Sequence, residues 1–165
     1  MKNSFRPVWA LSGLTALGIA LILCAPCPAR AGGVSGGIRG GITDDPDSLF
    51  FGGHISIRPG RSALCIEPSF EMGLGDWADE FDFFTLRFNG NVKYLLPLGS
   101  YHTAFYPIFG LAVYYLKMDD DHGGGHNNEV GVNLGAGFAI YGFLFDLTVG
   151  LADIPNITFT FGYTF

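Results

Sequence analysis

The side chains best suited to chemistry lie in one short polar stretch in the second half of the chain. Three consecutive carboxylates precede two histidines separated by three glycines: Asp119, Asp120, Asp121, His122 and His126. Carboxylate oxygens and imidazole nitrogens are ligands for Ca²⁺, Zn²⁺ or Ni²⁺. Their spacing matches no defined metal site, and a polar, glycine-rich run is typical of a solvated loop. We therefore expect a flexible loop here, with no specific metal and no cofactor.

A catalytic role for this stretch would need a nucleophile within hydrogen-bond reach of a base, and a third group to orient that base. Glu129 follows the histidines, and Ser48 lies in another polar segment. Three consecutive glycines make the stretch too flexible to hold His122 and His126 in such an arrangement. We expect that the chain is not an enzyme.

The elements that would position any site are clearest at the carboxyl-terminal end. Between residues 156 and 165 one face would carry Ile157, Phe159, Phe161, Tyr163 and Phe165, and the other Thr158, Thr160, Gly162 and Thr164. Successive side chains of a β-strand point to opposite faces. This segment is therefore a strand with one aromatic face and one polar or small face.

Eight alternating segments of this kind follow one another, with seven turn signals between them. They lie at about residues 33–42, 49–58, 62–72, 81–96, 101–117, 128–140, 143–152 and 156–165. The alternation blurs in the fifth segment, where Ile108 and Phe109 would put large apolar groups on both faces. Pro68 lacks a backbone donor for the ladder, which predicts a β-bulge in the third segment.

The amino terminus carries the features of an export signal. Lys2 and Arg6 precede an apolar stretch at residues 8–23, and Ala29 and Ala31 offer the small-residue pattern of a cleavage site. We predict a signal peptide at residues 1–31 and a single mature domain at residues 32–165. A retained membrane helix is the alternative, which Pro26 and the cleavage pattern disfavour.

Composition limits the possible partners. Of nine Lys and Arg residues, Lys2, Arg6 and Arg30 lie in the predicted leader, whereas all fifteen acidic residues lie beyond it. The mature chain is therefore strongly acidic and offers no basic surface for nucleic acid. Cys65 is the one cysteine beyond residue 31, so no disulfide can form within the mature chain.

The connections alternate in length and charge. Connections at residues 59–60, 97–100 and 141–142 are short, whereas most of those at 43–48, 73–80, 118–127 and 153–155 are longer, and these four hold or adjoin most of the carboxylates. Bacterial membrane barrels have short turns on the periplasmic side, where both termini lie, and longer loops outside. An even number of strands returns the chain to its starting side, as this arrangement requires.

Alternation and connections together favour a closed sheet in a membrane. Hydrocarbon cannot satisfy backbone N–H and C=O groups, so a membrane sheet must close on itself. A soluble lipocalin-like barrel, the alternative, would expose faces that hold mainly Gly, Ser, Thr and Asn, which suit a soluble surface poorly. We predict an all-β fold, an eight-stranded antiparallel up-and-down transmembrane β-barrel.

The inward face of such a barrel would carry a balanced set of charges. It holds Arg39, His54, Glu67, Glu71, Arg87, Asn89, Lys93, Asn133 and Asp146. If Glu71 faces Phe83, then Glu67 lies opposite Arg87. Because an unpaired buried charge costs several kcal/mol and an eight-stranded lumen is narrow, we interpret this set as a self-neutralising polar plug. Solvated residues in a wet lumen are the alternative.

The leader, the eight strands and the terminal aromatic residues resemble the small OmpA/OmpX-type outer-membrane β-barrel proteins. The resemblance implies a bacterial outer membrane, periplasmic termini, and contact with membrane lipids and lipopolysaccharide. The ending at Phe161, Tyr163 and Phe165 is similar to the signal that the barrel-assembly machinery reads, although Thr160 stands where that signal often has glycine.

The resemblance implies fold and location more than activity. We expect a monomer with a structural or surface-interaction role. A narrow, porin-like channel for very small solutes is the second possibility. A lipid A-modifying enzyme is the third, although no pairing of His with Ser here resembles the deacylase signature.

Overall fold

The computed structural model describes residues 33–44, 47–60, 62–75, 83–99, 102–118, 126–152, 154–155 and 157–165. The predicted signal peptide lies outside them. The described residues form nine strand segments: β1 Gly33–Thr43, β2 Ser48–Arg58, β3 Leu64–Gly75, β4 Phe83–Tyr94, β5 Leu96–Pro97, β6 Thr103–Met118, β7 His126–Ile140, β8 Phe143–Leu151 and β9 Ile157–Thr164. No described residues form a helix long and apolar enough to cross a lipid bilayer.

The nine strand segments close into an eight-stranded barrel, in which β4 and β5 count as one strand. Each pairs antiparallel with the next, and β9 pairs back onto β1, where Tyr163 faces Ile38. The short β5 continues β4, because both pair with β6 in one register. The ladder is interrupted beside Pro107, which has no N–H to donate. The predicted eight-stranded antiparallel barrel is confirmed.

The tight turn between β7 and β8 shows why some connections can be so short. Tyr141 and Gly142 both have positive φ, at 51° and 91°. A two-residue hairpin turn of this kind matches the twist of the flanking strands but strains a residue with a side chain. The Tyr141 ring stacks on His102 at 5.0 Å between centroids, so packing accompanies the strained position.

The β-bulge expected at Pro68 is wrong. The pairing of β3 with β4 runs without a shift from Leu64 and Tyr94 to Gly75 and Phe83, with Pro68 opposite Gly90. A bulge would displace the register by one residue. The ladder between β2 and β3 is instead interrupted beside Pro68 and resumes in the same register.

The outer surface of the barrel is apolar. Val34 is 73% exposed and Phe88 is 54% exposed, and every strand of the barrel carries large apolar side chains that are similarly exposed. The strand β6 resolves the blurred segment of the sequence, because Phe109 points outward whereas Ile108 is buried in the lumen. Large apolar side chains therefore cover the outside of every strand, and the buried interior holds mostly polar side chains together with some apolar ones such as Ile108.

The lumen as candidate functional site

The structure places all nine predicted lumen residues inside the barrel. None of them is more than 8% exposed: Arg39, His54, Glu67, Glu71, Arg87, Asn89, Lys93, Asn133 and Asp146. They come from β1, β2, β3, β4, β7 and β8, each at a strand position whose alternation turns it inward. Six of them are charged, with three of each sign.

Arg39 on β1 contacts all three carboxylates. Its Nη1 donates to Oε1 of Glu67 at 3.0 Å, and its Nη2 donates to Oδ2 of Asp146 at 3.5 Å. Its Nε lies 3.1 Å from Oε1 of Glu71, within ion-pair distance but without the angle of a hydrogen bond. This guanidinium therefore connects β1 to β3 and β8 across the lumen.

Lys93 on β4 forms the second cationic centre. Its Nζ lies 2.7 Å from Oε1 of Glu67 and 3.0 Å from Oδ2 of Asp146. Tyr106 donates its hydroxyl hydrogen to Oδ1 of Asp146 at 2.6 Å, and its ring centroid lies 4.8 Å from Lys93 Nζ. Asp146 thus receives bonds from two cations and one phenol, which fixes its orientation.

Arg87 pairs with Glu71, and this corrects the predicted register. Its Nε and Nη2 each lie 2.5 Å from Oε2 of Glu71, whereas Glu67 lies opposite Asn91. The expected position of Glu67 opposite Arg87 is wrong because β3 runs on to Gly75, which pairs with Phe83. The strands therefore pair four residues further along than the sequence suggested.

Arg87 also has partners beyond Glu71. Its Nη1 donates to Oγ1 of Thr158 on β9 at 3.1 Å, and its guanidinium lies 4.6 Å from the ring centroid of Phe50 on β2. A cation over an aromatic face in a desolvated site gains further stabilisation. Arg87 therefore links β4 to β3, β9 and β2.

Neutral side chains complete the hydrogen bonding of the carboxylates. Ser56 donates to Oε2 of Glu67 and Ser69 to Oε1 of Glu71, each at 3.2 Å. Asn89 donates to Ser69 Oγ at 3.1 Å, and Asn133 donates to Asn89 Oδ1 at 3.0 Å. The chain of bonds continues from β3 through β4 to β7.

His54 stands apart from this network. Its Nε2 is 2.8 Å from Oγ1 of Thr164, close to the end of β9. Gly37 on β1 leaves space for the imidazole, since a Cβ there would overlap the ring. His54 therefore packs the end of the lumen where the chain terminates, and its Nδ1 has no hydrogen-bond partner among the described residues.

The energetics favour keeping the whole set together. The six charges are each within 3.5 Å of at least one opposite charge, and none of their side chains is more than 9% exposed. Removing one partner of a buried pair costs about 3–5 kcal/mol, since it leaves an uncompensated charge. A lumen of eight strands is just wide enough for side chains to fill, and these side chains occupy its middle. We refer to these six residues and Tyr106 as the ionic network.

Sequence reasoning missed a second, apolar group of lumen residues. Ala112, Tyr114 and Leu116 on β6 pack with Ile154 from the β8–β9 connection, and all four are buried. We refer to these four residues as the apolar cluster. The even-numbered positions of β6 carry apolar side chains, which pointed to this group. Because most odd-numbered positions of β6 are apolar too, its two faces were hard to distinguish. Ile154 lies outside any strand, so alternation could not assign it a face.

The suspected metal and catalytic residues fall mostly in a part of the chain that the structure does not describe. Asp119, Asp120, Asp121 and His122 lie outside the described residues, as does the side chain of His126, whose backbone begins β7. Within the described part of the chain, no three His, Cys, Asp or Glu side chains are placed to hold a metal ion.

The terminal aromatic residues pack at the end of β9, the strand that closes the barrel against β1. Phe161 contacts Phe145 and Phe143 on the neighbouring strand β8, at 5.2 and 5.9 Å between ring centroids. The ring of Tyr163 lies 4.9 Å from that of Phe143. Phe165 donates its backbone N–H to the carbonyl of Gly36 at 2.9 Å. The final residues are therefore held against both neighbouring strands.

No protein-family model matches the chain, and no curated protein matches it in sequence. Among solved structures, Neisserial surface protein A matches with a TM-score of 0.57 at 11% identity, over 79% of this chain and 94% of that one. The N-terminal β-barrel domain of Pseudomonas aeruginosa OprF matches at 0.54 and 16%, over 80% and 96%. Ail, the attachment invasion locus protein of Yersinia pestis, matches at 0.53 and 14%, over 82% and 100%. The chain therefore has the fold of the small OmpA-like eight-stranded outer-membrane β-barrel proteins.

Proposed function

We propose that this chain is an integral protein of the bacterial outer membrane whose lumen is closed by its own side chains, and that it acts as a monomer in a structural or surface-interaction role. The ionic network is the main observation behind the proposed closed lumen. Three cations and three anions neutralise one another across the barrel, which leaves no surplus charge in the network to select or conduct ions. A selective pore is instead lined by a surplus of one sign.

The exterior supports a membrane location. Large apolar side chains lie at outward positions on every strand of the barrel, and lipid is the environment in which such a surface is stable. The partners we propose are accordingly outer-membrane lipids and lipopolysaccharide. The solved structures of the same fold belong to outer-membrane proteins, which agrees with this location.

We further propose that the end carrying the termini faces the periplasm. The backbone N–H of Thr164 bonds to the carbonyl of Gly142, so the chain terminus lies beside the two-residue β7–β8 turn. Short turns mark the periplasmic end in bacterial barrels. Phe161, Tyr163 and Phe165 then form the segment offered to the barrel-assembly machinery during insertion, after removal of residues 1–31 as a signal peptide.

Two measurements on protein purified from membranes test these proposals. Folded and boiled samples should migrate differently on a gel, and the protein should stay in the membrane fraction after alkaline extraction. Release into the soluble fraction would contradict membrane integration.

Conductance across a planar lipid bilayer separates a closed lumen from a narrow channel. We expect no sustained single-channel current from the native protein. The double substitution Arg39→Ala with Glu67→Ala removes one charge of each sign, and Lys93 and Asp146 remain paired. Made in a protein that also carries Ile154→Ala, which reduces the apolar cluster that fills the lumen, this double substitution should open a conducting path without stranding a charge.

Ile38→Ala with Ile66→Ala is the matched control, because both side chains belong to the outward positions of the same two strands. Made in the same Ile154→Ala protein, this control should show no current, as the native protein does. A native current as large as that of the variant with all three substitutions would overturn the closed lumen and favour the channel.

A further inference from the structure

Ile154 is a connection residue whose side chain lies inside the barrel. It is 5% exposed, although it belongs to no strand. A Cβ at Gly131 on β7 would lie 2.8 Å from both Cγ1 and Cγ2 of Ile154, and a Cβ at Gly150 on β8 would lie 2.7 Å from Cγ1. Two inward strand positions are thus left without side chains where this isoleucine sits.

The backbone that delivers Ile154 is bent sharply inward. Ala152 has φ of 73°, a left-handed conformation that costs a residue with a side chain about 1–2 kcal/mol. The N–H of Ile154 then bonds to the carbonyl of Ala152 at 2.9 Å, and Pro155 beyond it is also buried. Strain of this kind persists only where the surrounding packing enforces it.

The side chains that cluster with Ile154 are mainly apolar. Ala112, Tyr114 and Leu116 present inward side chains from β6, which pairs with β7 so that Ala112 is the ladder partner of Gly131. The apolar cluster therefore packs along the neighbouring strands β6, β7 and β8, and its four side chains are all buried. It lies toward the end where β6 finishes at Met118, away from the short turns. A narrow constriction lined by apolar groups excludes water and ions without any charge.

We propose that Ile154 is a hydrophobic stopper that closes the loop-side end of the lumen, seated on Gly131 and Gly150. Aqueous solutes entering from that side are stopped at the apolar cluster before they reach the ionic network. The lumen thus has two closures of different chemistry.

Thiol labelling beneath the stopper tests this directly. Asn133 lies two residues further into the barrel than Gly131 on the same inward face of β7. Asn133→Cys is introduced together with Cys65→Ser, which removes the buried native thiol. The reaction rate with a small cationic methanethiosulfonate reagent is measured on folded protein in detergent.

With Ile154 in place the reaction should be slow. Ile154→Ala should accelerate it at least tenfold. Ile157→Ala is the matched control, because that isoleucine points outward at the start of β9, and it should leave the rate unchanged. Equal labelling rates in the parent protein and in the Ile154→Ala variant, or fast labelling of the parent protein, would overturn the stopper.

Measurements of folding and of conductance distinguish a failure of the stopper from a failure of the closed ionic lumen. Heat-modifiable migration shows whether each variant is folded, and Ile154→Thr, which keeps the branch at Cβ but replaces the ethyl arm by a hydroxyl, provides a second comparison. It should also accelerate labelling, and no acceleration in this folded variant would count against an apolar seal. Ile154→Ala should not conduct, since the ionic network remains. Accelerated labelling together with current in this variant would support the stopper and overturn the closed ionic lumen.

Discussion

The two closures of the lumen differ in what holds them together. The ionic network joins β1, β3, β4, β6 and β8 through charged and polar bonds, most of them between 2.5 and 3.2 Å. The apolar cluster joins β6 to one connection by packing alone. A buried charge tolerates no loss of its partner, whereas an apolar contact can be weakened by degrees. We therefore expect the network to control stability and the cluster to control access.

The largest effect is expected at Asp146. Asp146→Asn removes one of the two anions that Arg39 and Lys93 share, and should lower the free energy of unfolding by about 3–5 kcal/mol. Denaturant titration followed by heat-modifiable migration measures this. Asp47→Asn is the control, because Asp47 is an exposed carboxylate outside the network. Similar losses in both variants would contradict a special role for the buried pairs.

The next effect is the coupling between Glu71 and Arg87. Glu71→Leu leaves Arg87 without its anion, and Arg87→Met leaves Glu71 with Arg39 as its remaining cation, whereas the double variant removes the pair together. The double variant should be more stable than the sum of the two single losses implies, by up to about 3 kcal/mol. A double-mutant cycle in the same denaturant assay measures the difference. Additive losses would mean that the two side chains do not act as a pair.

A smaller effect is expected at Tyr106. Tyr106→Phe keeps the ring over Lys93 but removes the hydroxyl that donates to Asp146. Loss of a hydrogen bond to a charged group should cost about 1.5–3 kcal/mol. Tyr94→Phe is the control, since that side chain faces outward from β4. An equal cost at Tyr94 would show that the loss does not come from the network.

The smallest effect is expected at the apolar cluster. Gly131→Ala would bring a Cβ within 2.8 Å of Ile154 and 2.6 Å of the carbonyl of Leu151, whereas Gly90→Ala meets nothing within 4 Å. Overpacking should make the first variant less stable by about 1–2 kcal/mol and leave the second near the native value. It should also accelerate labelling at Asn133→Cys if it displaces Ile154. Equal stability of the two variants would show that Ile154 is not seated as described.

The charged residues of the lumen could be predicted from the sequence, because alternation alone decides which face of the strand they occupy. Arg39, Glu67 and Lys93 each sit between outward apolar residues, so their faces follow from counting by two once the strands are recognised. Which cation meets which anion could not be predicted in the same way. Pairing depends on where β3 ends, and a shift of four residues in the pairing of β3 with β4 places Arg87 opposite Glu71 and not Glu67.

The apolar end was hidden for a different reason. Tyr114, like Tyr106 of the ionic network, looks like a lipid-facing residue by type, and only the register of β6 turns it inward. Ile154 lies in a connection with no periodicity, and its seat is defined by glycines on two other strands. Residues positioned by distant backbone rather than by their own strand leave no local signal.

The central claim is that the apolar face meets lipid while the polar face is enclosed. Nitroxide labels at Phe88→Cys and Val132→Cys test it most directly, with Asp47→Cys as the aqueous reference. All three cysteines are introduced into the Cys65→Ser protein, which is reconstituted in vesicles. Collision of each label with dissolved oxygen and with a water-soluble nickel chelate is measured by electron paramagnetic resonance. We expect oxygen to dominate at Phe88 and Val132 and the nickel chelate to dominate at Asp47. Strong relaxation by the nickel chelate at Phe88 and Val132 would place the apolar face in water and contradict the account.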